Sequence, residues 1–260
     1  FLKENTRFLH QQYESSSSAV TLNYKSHYSS KNFAFASGFS IKSVGNLTMG
    51  NCRNHNYLNW GNEDIISKEN EQLYTNYTQA DFIQKTLFKI NNTTNLLLNT
   101  QYSTSSKINR FDKLNDMVEY KQKYDAWYYG PQNRFLQMIK LNSIKSSLFY
   151  DKLQTVFAFQ NVDESRHHKK YTDNFMSNRY ENVRIYDASV NLSKLILSSQ
   201  LSYGLGGRKQ IVYSSANNET INGEYFYNTT RYPDGGSDVV DFFMYSQISF
   251  GISDKLKLYL

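Results

Sequence analysis

The feature that most constrains this chain is a rhythm of paired strand patterns, tightly joined within each pair and separated by long polar stretches between pairs. Alternation of apolar and polar side chains with a period of two marks a strand with one apolar and one wet face. Such runs cover Ser16–Tyr28 and Lys31–Gly45, Phe82–Ile90 and Asn95–Ser106, Arg134–Ser143 and Lys152–Ser165, Val183–Ser193 and Leu195–Ser214. Val239–Phe250 and Lys255–Leu260 begin a further pair. Between pairs the chain wanders, as in Asn46–Ala80. The pattern predicts an all-β, antiparallel meander with every long connection at one end.

Short turns at one end and long loops at the other are what outer-membrane β-barrels require. The faces agree. Leu153, Thr155, Phe157 and Phe159 oppose Gln154, Val156, Ala158 and Gln160, and Phe33, Phe35, Phe39 and Ile41 oppose Ala34, Ala36 and Gly38. In the fifth pair Phe242, Met244, Ser246, Ile248 and Phe250 oppose Asp241, Phe243, Tyr245, Gln247 and Ser249. Several runs reach about ten residues, the length a tilted strand needs to cross a bilayer, against about five or six in ordinary sheets. Tyr24, Tyr28, Tyr102, Tyr203 and Tyr245 lie where strand ends would meet the membrane interfaces. A mean hydropathy of −0.65 normally argues for a water-soluble protein, but in a barrel only alternate residues meet lipid, so the average stays low. No run approaches the roughly 18 apolar residues of a spanning helix, which excludes a helical membrane protein. A large soluble sandwich or propeller with aromatic-rich strands is the competing reading.

The remaining signals exclude more than they assign. A net charge of +6 invites nucleic acid, but Lys and Arg are scattered among Asp and Glu with no basic face or recognition motif. The single Cys52 cannot form an internal disulfide. His167 and His168 are neighbours, so in a strand they point to opposite faces and do not share a metal; one alone is a candidate haem or metal contact, against the blander expectation of a solvated imidazole. His10, His27 and His55 form no spacing motif with them. No nucleophile elbow, zinc-helix motif or phosphate loop is present. Gly204, Gly206 and Gly207 fall in a strand pattern rather than before a helix, which fits bending or close packing of a wall. The polar loop Asn51–Trp60 combines amides with aromatic rings, suited to a sugar, siderophore or peptide and equally to plain loop surface. The chain is not expected to be an enzyme, and no cofactor or metal site is expected.

Three stretches carry a more specific signal. The first is Ser40–Asn51, ending Val44-Gly45-Asn46-Leu47-Thr48-Met49-Gly50-Asn51. The second and most specific is Tyr124-Asp125-Ala126-Trp127-Tyr128-Tyr129-Gly130-Pro131-Gln132-Asn133-Arg134. The third joins Ala158-Phe159-Gln160 and Asp163-Glu164-Ser165-Arg166 to Ser202-Tyr203-Gly204 and Arg231-Tyr232-Pro233-Asp234-Gly235. Together they resemble the barrel of TonB-dependent outer-membrane receptors of the Bacteroidetes type.

The resemblance implies a single partial barrel domain over residues 1–260, roughly ten strands of about 22, with the plug domain and closing strands expected elsewhere. It implies a Gram-negative outer membrane, contact with its lipid, and coupling to the TonB–ExbB–ExbD complex through the plug. The implied substrate is a small molecule or metal chelate: siderophore–iron, haem, a vitamin or an oligosaccharide. Candidate ligand-binding residues are Trp127, Tyr128, Tyr129, Arg134, Arg231 and Tyr232, whose plain alternative is a structural role as loop anchors. A passive porin or usher-like barrel and a soluble or surface-anchored β-rich binding module are the alternatives.

Overall fold

A computed structural model describes residues 5–50, 67–68, 70–197, 199–253 and 256–259. Eleven strands form one antiparallel ladder in chain order, the register that short hairpins impose. They are β1 (Thr6–Glu14), β2 (Ala19–Ser29), β3 (Phe33–Val44), β4 (Tyr77–Lys89), β5 (Thr94–Ser105) and β6 (Asn133–Ile144). The series continues with β7 (Lys152–Lys170), β8 (Phe175–Ile196), β9 (Ser199–Thr220), β10 (Gly236–Ser253) and β11 (Leu256–Tyr259). Among the described residues the fold is almost wholly antiparallel β, with one four-residue α-helix, Phe111–Leu114. No helix among the described residues is long and apolar enough to cross a membrane.

Register turns the alternation of each strand into two continuous faces. One register row runs Tyr28, Phe35, Thr86, Leu98, Ile139, Phe157, Ala188, Gly207 and Phe242 across nine strands. Residues an odd number of positions from this row, among them Lys25, Asp81, Gln101, Arg134, Gln160, Asp187 and Arg208, lie on the other face. The row through Tyr24, Phe39, Phe82, Tyr102 and Phe135 leaves the apolar band on β7 and ends in Asn161, Arg184, Ile211 and Asp238. The apolar band therefore descends by about one residue per strand. With about 3.4 Å per residue and about 4.8 Å between strands, it crosses the ladder at roughly 35°, close to the tilt of membrane-spanning barrel strands.

Polar groups on the apolar face satisfy one another. Thr100 Oγ1 donates to Gln137 Oε1 at 2.6 Å, and Ser37 donates to Gln84 on the neighbouring strand. Such pairing removes most of the cost of holding amides and hydroxyls in an apolar surface.

Four expectations are corrected. The stretches 166–182 and 215–238 were expected as loops, but β7 and β8 continue to a tight turn between Lys170 and Phe175, and β9 runs to Thr220. Apart from Phe175, Met176 and Tyr180 these extensions are polar on both faces, so the alternation of apolar residues stops where the apolar band stops. The expected loop around Trp127 is a short strand, Tyr124–Tyr129, paired with β7 above the end of β6. Leu195 and Ile196 belong to β8, and the turn falls at Leu197, whose φ of 56° is left-handed; three apolar residues in a row hide the reversal. Tyr245 is no interfacial girdle residue. It lies on the polar face against Gly204, and its hydroxyl donates to Asn191 Oδ1 at 2.9 Å.

The glycines have the wall-packing role expected of them. A Cβ at Gly206 would sit 2.5 Å from Phe243 Cζ and 2.9 Å from the Ala188 carbonyl oxygen, and one at Gly204 would sit 2.7 Å from Tyr245 Cε1. Aromatic rings of β10 thus lie flat over bare backbone of β9, the arrangement that compensates glycine in a sheet.

Candidate functional site

The polar face lines a half-open cavity of about 760 Å³ between β2 and β8. Its side chains include Lys25, Asp81, Gln101, Arg134, Gln160 and Glu164. The carboxylate of Asp81 accepts from Ser103 Oγ at 2.5 Å and from Gln79 Nε2 at 3.0 Å. Arg134 Nη2 donates to Gln160 Oε1 at 3.0 Å, and Gln132 Nε2 to Glu164 Oε1 at 2.6 Å. Among the described residues Arg134 has a neutral partner and no carboxylate in contact, so its charge is available to an anionic or hydrogen-bond-accepting group.

Above this cavity, the strand Tyr124–Tyr129 adds a rim to β7 in the register Trp127↔His168, Tyr128↔His167 and Tyr129↔Arg166. Alternation separates the three aromatic residues. Trp127 and Tyr129 share the face of His168 and Arg166, with their rings edge to face at 5.2 Å. The Arg110 guanidinium lies 4.9 Å from the Trp127 ring and 5.8 Å from that of Tyr129, and donates to the Tyr129 hydroxyl at 3.0 Å. Arg166 covers Tyr129 at 5.5 Å. Two guanidinium groups thus clasp an aromatic pair, an arrangement favoured by the ring quadrupole. Asp112 pairs with Arg110 at 2.5 Å; that hydrogen bond raises the Arg110 pKa above its ordinary value and lowers that of Asp112.

Tyr128 points the other way. It stacks on the His167 ring at 4.7 Å and borders a separate pocket of about 870 Å³ with Lys107, Leu114, Gln122 and Asp125. Burial pushes its phenol pKa up. His167 is 8 % exposed, not solvated as expected. Its Nδ1 lies 2.7 Å from the acceptor Asn178 Oδ1, so that nitrogen carries the hydrogen, while Nε2 lies 2.9 Å from Ser165 Oγ. Gly130 leaves room for the ring: a Cβ there would sit 3.0 Å from Nε2. As expected from strand geometry, His168 lies on the opposite face, stacked near Trp127 at 6.5 Å.

Arg231 and Tyr232 lie on a different segment, ahead of the turn Pro233–Gly235. The Tyr232 carbonyl accepts from Thr230 Oγ1 at 2.6 Å. The candidates therefore fall into four places: Trp127 and Tyr129 at the rim, Tyr128 on the opposite face of the same strand beside the second pocket, Arg134 in the cavity below, and Arg231 with Tyr232 on the β9–β10 connection. Sequence reasoning missed Arg110 and Arg166, which reach the aromatic pair only through tertiary contact, and Lys25 and Asp81, which register alone brings to the cavity. Asn51–Trp60, with Cys52 and His55, lies outside the described residues. Among the described residues no group of three or more His, Cys, Asp and Glu side chains is placed to hold a metal ion.

No family model matches the sequence, and no curated protein matches it. Solved structures do. The copper transporter OprC superposes with a TM-score of 0.66 at 6 % identity, covering 98 % of this chain and 35 % of that protein. The ferric yersiniabactin uptake receptor FyuA from Yersinia pestis gives 0.53 at 11 % identity, covering 98 % and 40 %. The ferric enterobactin receptor PfeA from Pseudomonas aeruginosa gives 0.54 at 10 %, covering 98 % and 38 %. The chain spans at most two fifths of the length of these three proteins, and it has the fold of part of a TonB-dependent receptor barrel.

Proposed function

We propose that this chain forms part of the wall of an outer-membrane receptor that imports a scarce, bulky nutrient under TonB control in a Gram-negative bacterium. One observation carries the reading: a tilted apolar band on one face of the ladder, with a polar, cavity-bearing face behind it. A band crossing the strands at roughly 35° is what a flat bilayer demands of barrel strands, and a soluble sandwich has no reason to keep it. Residues 1–260 act as one partial barrel domain of a wall of about 22 strands, with a plug supplied elsewhere as the coupling element. The substrate is a siderophore–iron complex, haem, a vitamin or an oligosaccharide. The named cargoes of FyuA and PfeA, both ferric chelates, favour the first.

In this reading Trp127 and Tyr129, held by Arg110 and Arg166, form an upper contact for the ligand, and Arg134 a lower one. Tyr128, Arg231 and Tyr232 remain ligand-contact candidates on neighbouring surfaces. Trp127→Ala and Arg134→Ala should each weaken ligand binding by about tenfold, the scale of one lost stacking or charge-assisted contact. Uptake by cells should stop when the proton gradient is collapsed, while ligand binding persists. Uptake that continued would replace the receptor with a passive porin.

A further inference from the structure

The short connection between β6 and β7 is the least expected feature of the lower end of the wall. Residues 145–151 do not simply reverse the chain. They fold across the apolar face beneath β8 and β9. Lys194 Nζ, on that face, donates to the Ser147 carbonyl at 2.6 Å and to Asp151 Oδ1 at 3.0 Å. Tyr203, also on that face, donates from its hydroxyl to the Phe149 carbonyl at 2.6 Å. The Asp151 amide donates to the Ser193 carbonyl at 2.8 Å, and Asp151 Oδ2 accepts from the Leu195 amide at 2.8 Å. Ser147 and Tyr150 close the turn on themselves.

This clamped turn projects its two most apolar side chains away from the protein. Leu148 is 85 % exposed and Phe149 70 %. Beside them Ile196, on the same face as Leu192, is half exposed, and Leu197 is 96 % exposed in its left-handed turn. Frayed turns expose apolar residues by chance, but this one is fixed by hydrogen bonds to two neighbouring strands. Four large apolar groups exposed at the same end of the sheet mark an interaction site. The patch continues the band formed by Leu153, Leu192 and Leu201 toward the short-turn end, and exposed Lys145 and Lys152 flank it. Apolar side chains edged by lysines suit the boundary between acyl chains and anionic headgroups.

We propose that the 145–151 turn, with Ile196 and Leu197, is a membrane anchor that inserts Leu148 and Phe149 into the lipid leaflet nearer the short turns. The inference rests on the membrane-wall reading above. It assigns the bilayer, rather than a protein partner, as occupant because the patch is continuous with the lipid-facing band.

The test places tryptophan at each site in turn, as Phe149→Trp and Phe157→Trp, in the full-length protein. The added fluorescence over the parent is read in vesicles of phosphatidylcholine and phosphatidylglycerol. Bromines are carried either near the headgroup end of the acyl chains or deep within them. Phe157→Trp should be quenched by deep bromines, and Phe149→Trp should lose about half its added emission to shallow bromines while shifting to the blue. If Phe157→Trp is quenched and Phe149→Trp emits as in water, the anchor is wrong while the wall stands. A blue shift of Phe149→Trp that appears only as protein concentration rises would assign the patch to a second copy and overturn the anchor. If neither responds to lipid, the wall reading falls and takes the anchor with it.

Discussion

Asp151 is the residue at which acid should loosen the lower end of the sheet first. Hydrogen bonds from the Leu195 amide, Ser146 and Lys194 hold its pKa at about 2, below its ordinary value near 4. A depressed carboxylate pKa contributes stability above the unfolded value and loses it as pH falls through the folded one. The 145–151 turn should therefore keep its protection above about pH 4 and lose it between about pH 4 and pH 2. Exchange of the Leu195 amide, followed as pH is lowered, checks this, and Asp151→Asn should remove the pH dependence in that window. At Gly206 the expectation is steric. Gly206→Val would drive a side chain into Phe243 and the Ala188 carbonyl, and overpacking of this kind costs about 1–3 kcal/mol, readable as a lowered urea midpoint with unchanged slope.

Strands carry the distinction between the two faces. Replacing Leu205, on the apolar face and largely exposed, by Arg should cost about 2–4 kcal/mol in bilayers. Gln247→Arg, on the exposed polar face of β10, should cost less than about 1 kcal/mol. Equal costs on both faces would contradict the assignment of lipid to one of them. The strands that cross the apolar band were legible because one face of each is apolar and the other polar. β1 was not read, since Arg7, His10, Gln11, Gln12 and Glu14 dilute its apolar positions. The upper ends of β7, β8 and β9 were not read because polar residues occur on both of their faces and leave no period to find. The candidate site was legible only where chemistry is concentrated in a short segment, as in Trp127-Tyr128-Tyr129. Even there strand geometry sends the middle residue to the opposite face, and the cations Arg110 and Arg166 arrive from elsewhere in the chain.

The molecule as a whole is a sheet with one apolar and one polar side, and the proposed function requires these sides to face different media. Spin labels placed singly at successive positions 153–163 of β7, in the protein in bilayers, test this most directly. Leu153, Thr155, Phe157 and Phe159 should be reached by dissolved oxygen and shielded from a water-soluble nickel chelate. Gln154, Val156, Ala158 and Gln160 should lack that oxygen contact, and from Asn161 upward the apolar-face positions should pass into water. A period of two that ends at Phe159 is the result the account predicts. Access of the nickel chelate to Leu153, Thr155, Phe157 and Phe159, or no period at all, would contradict it.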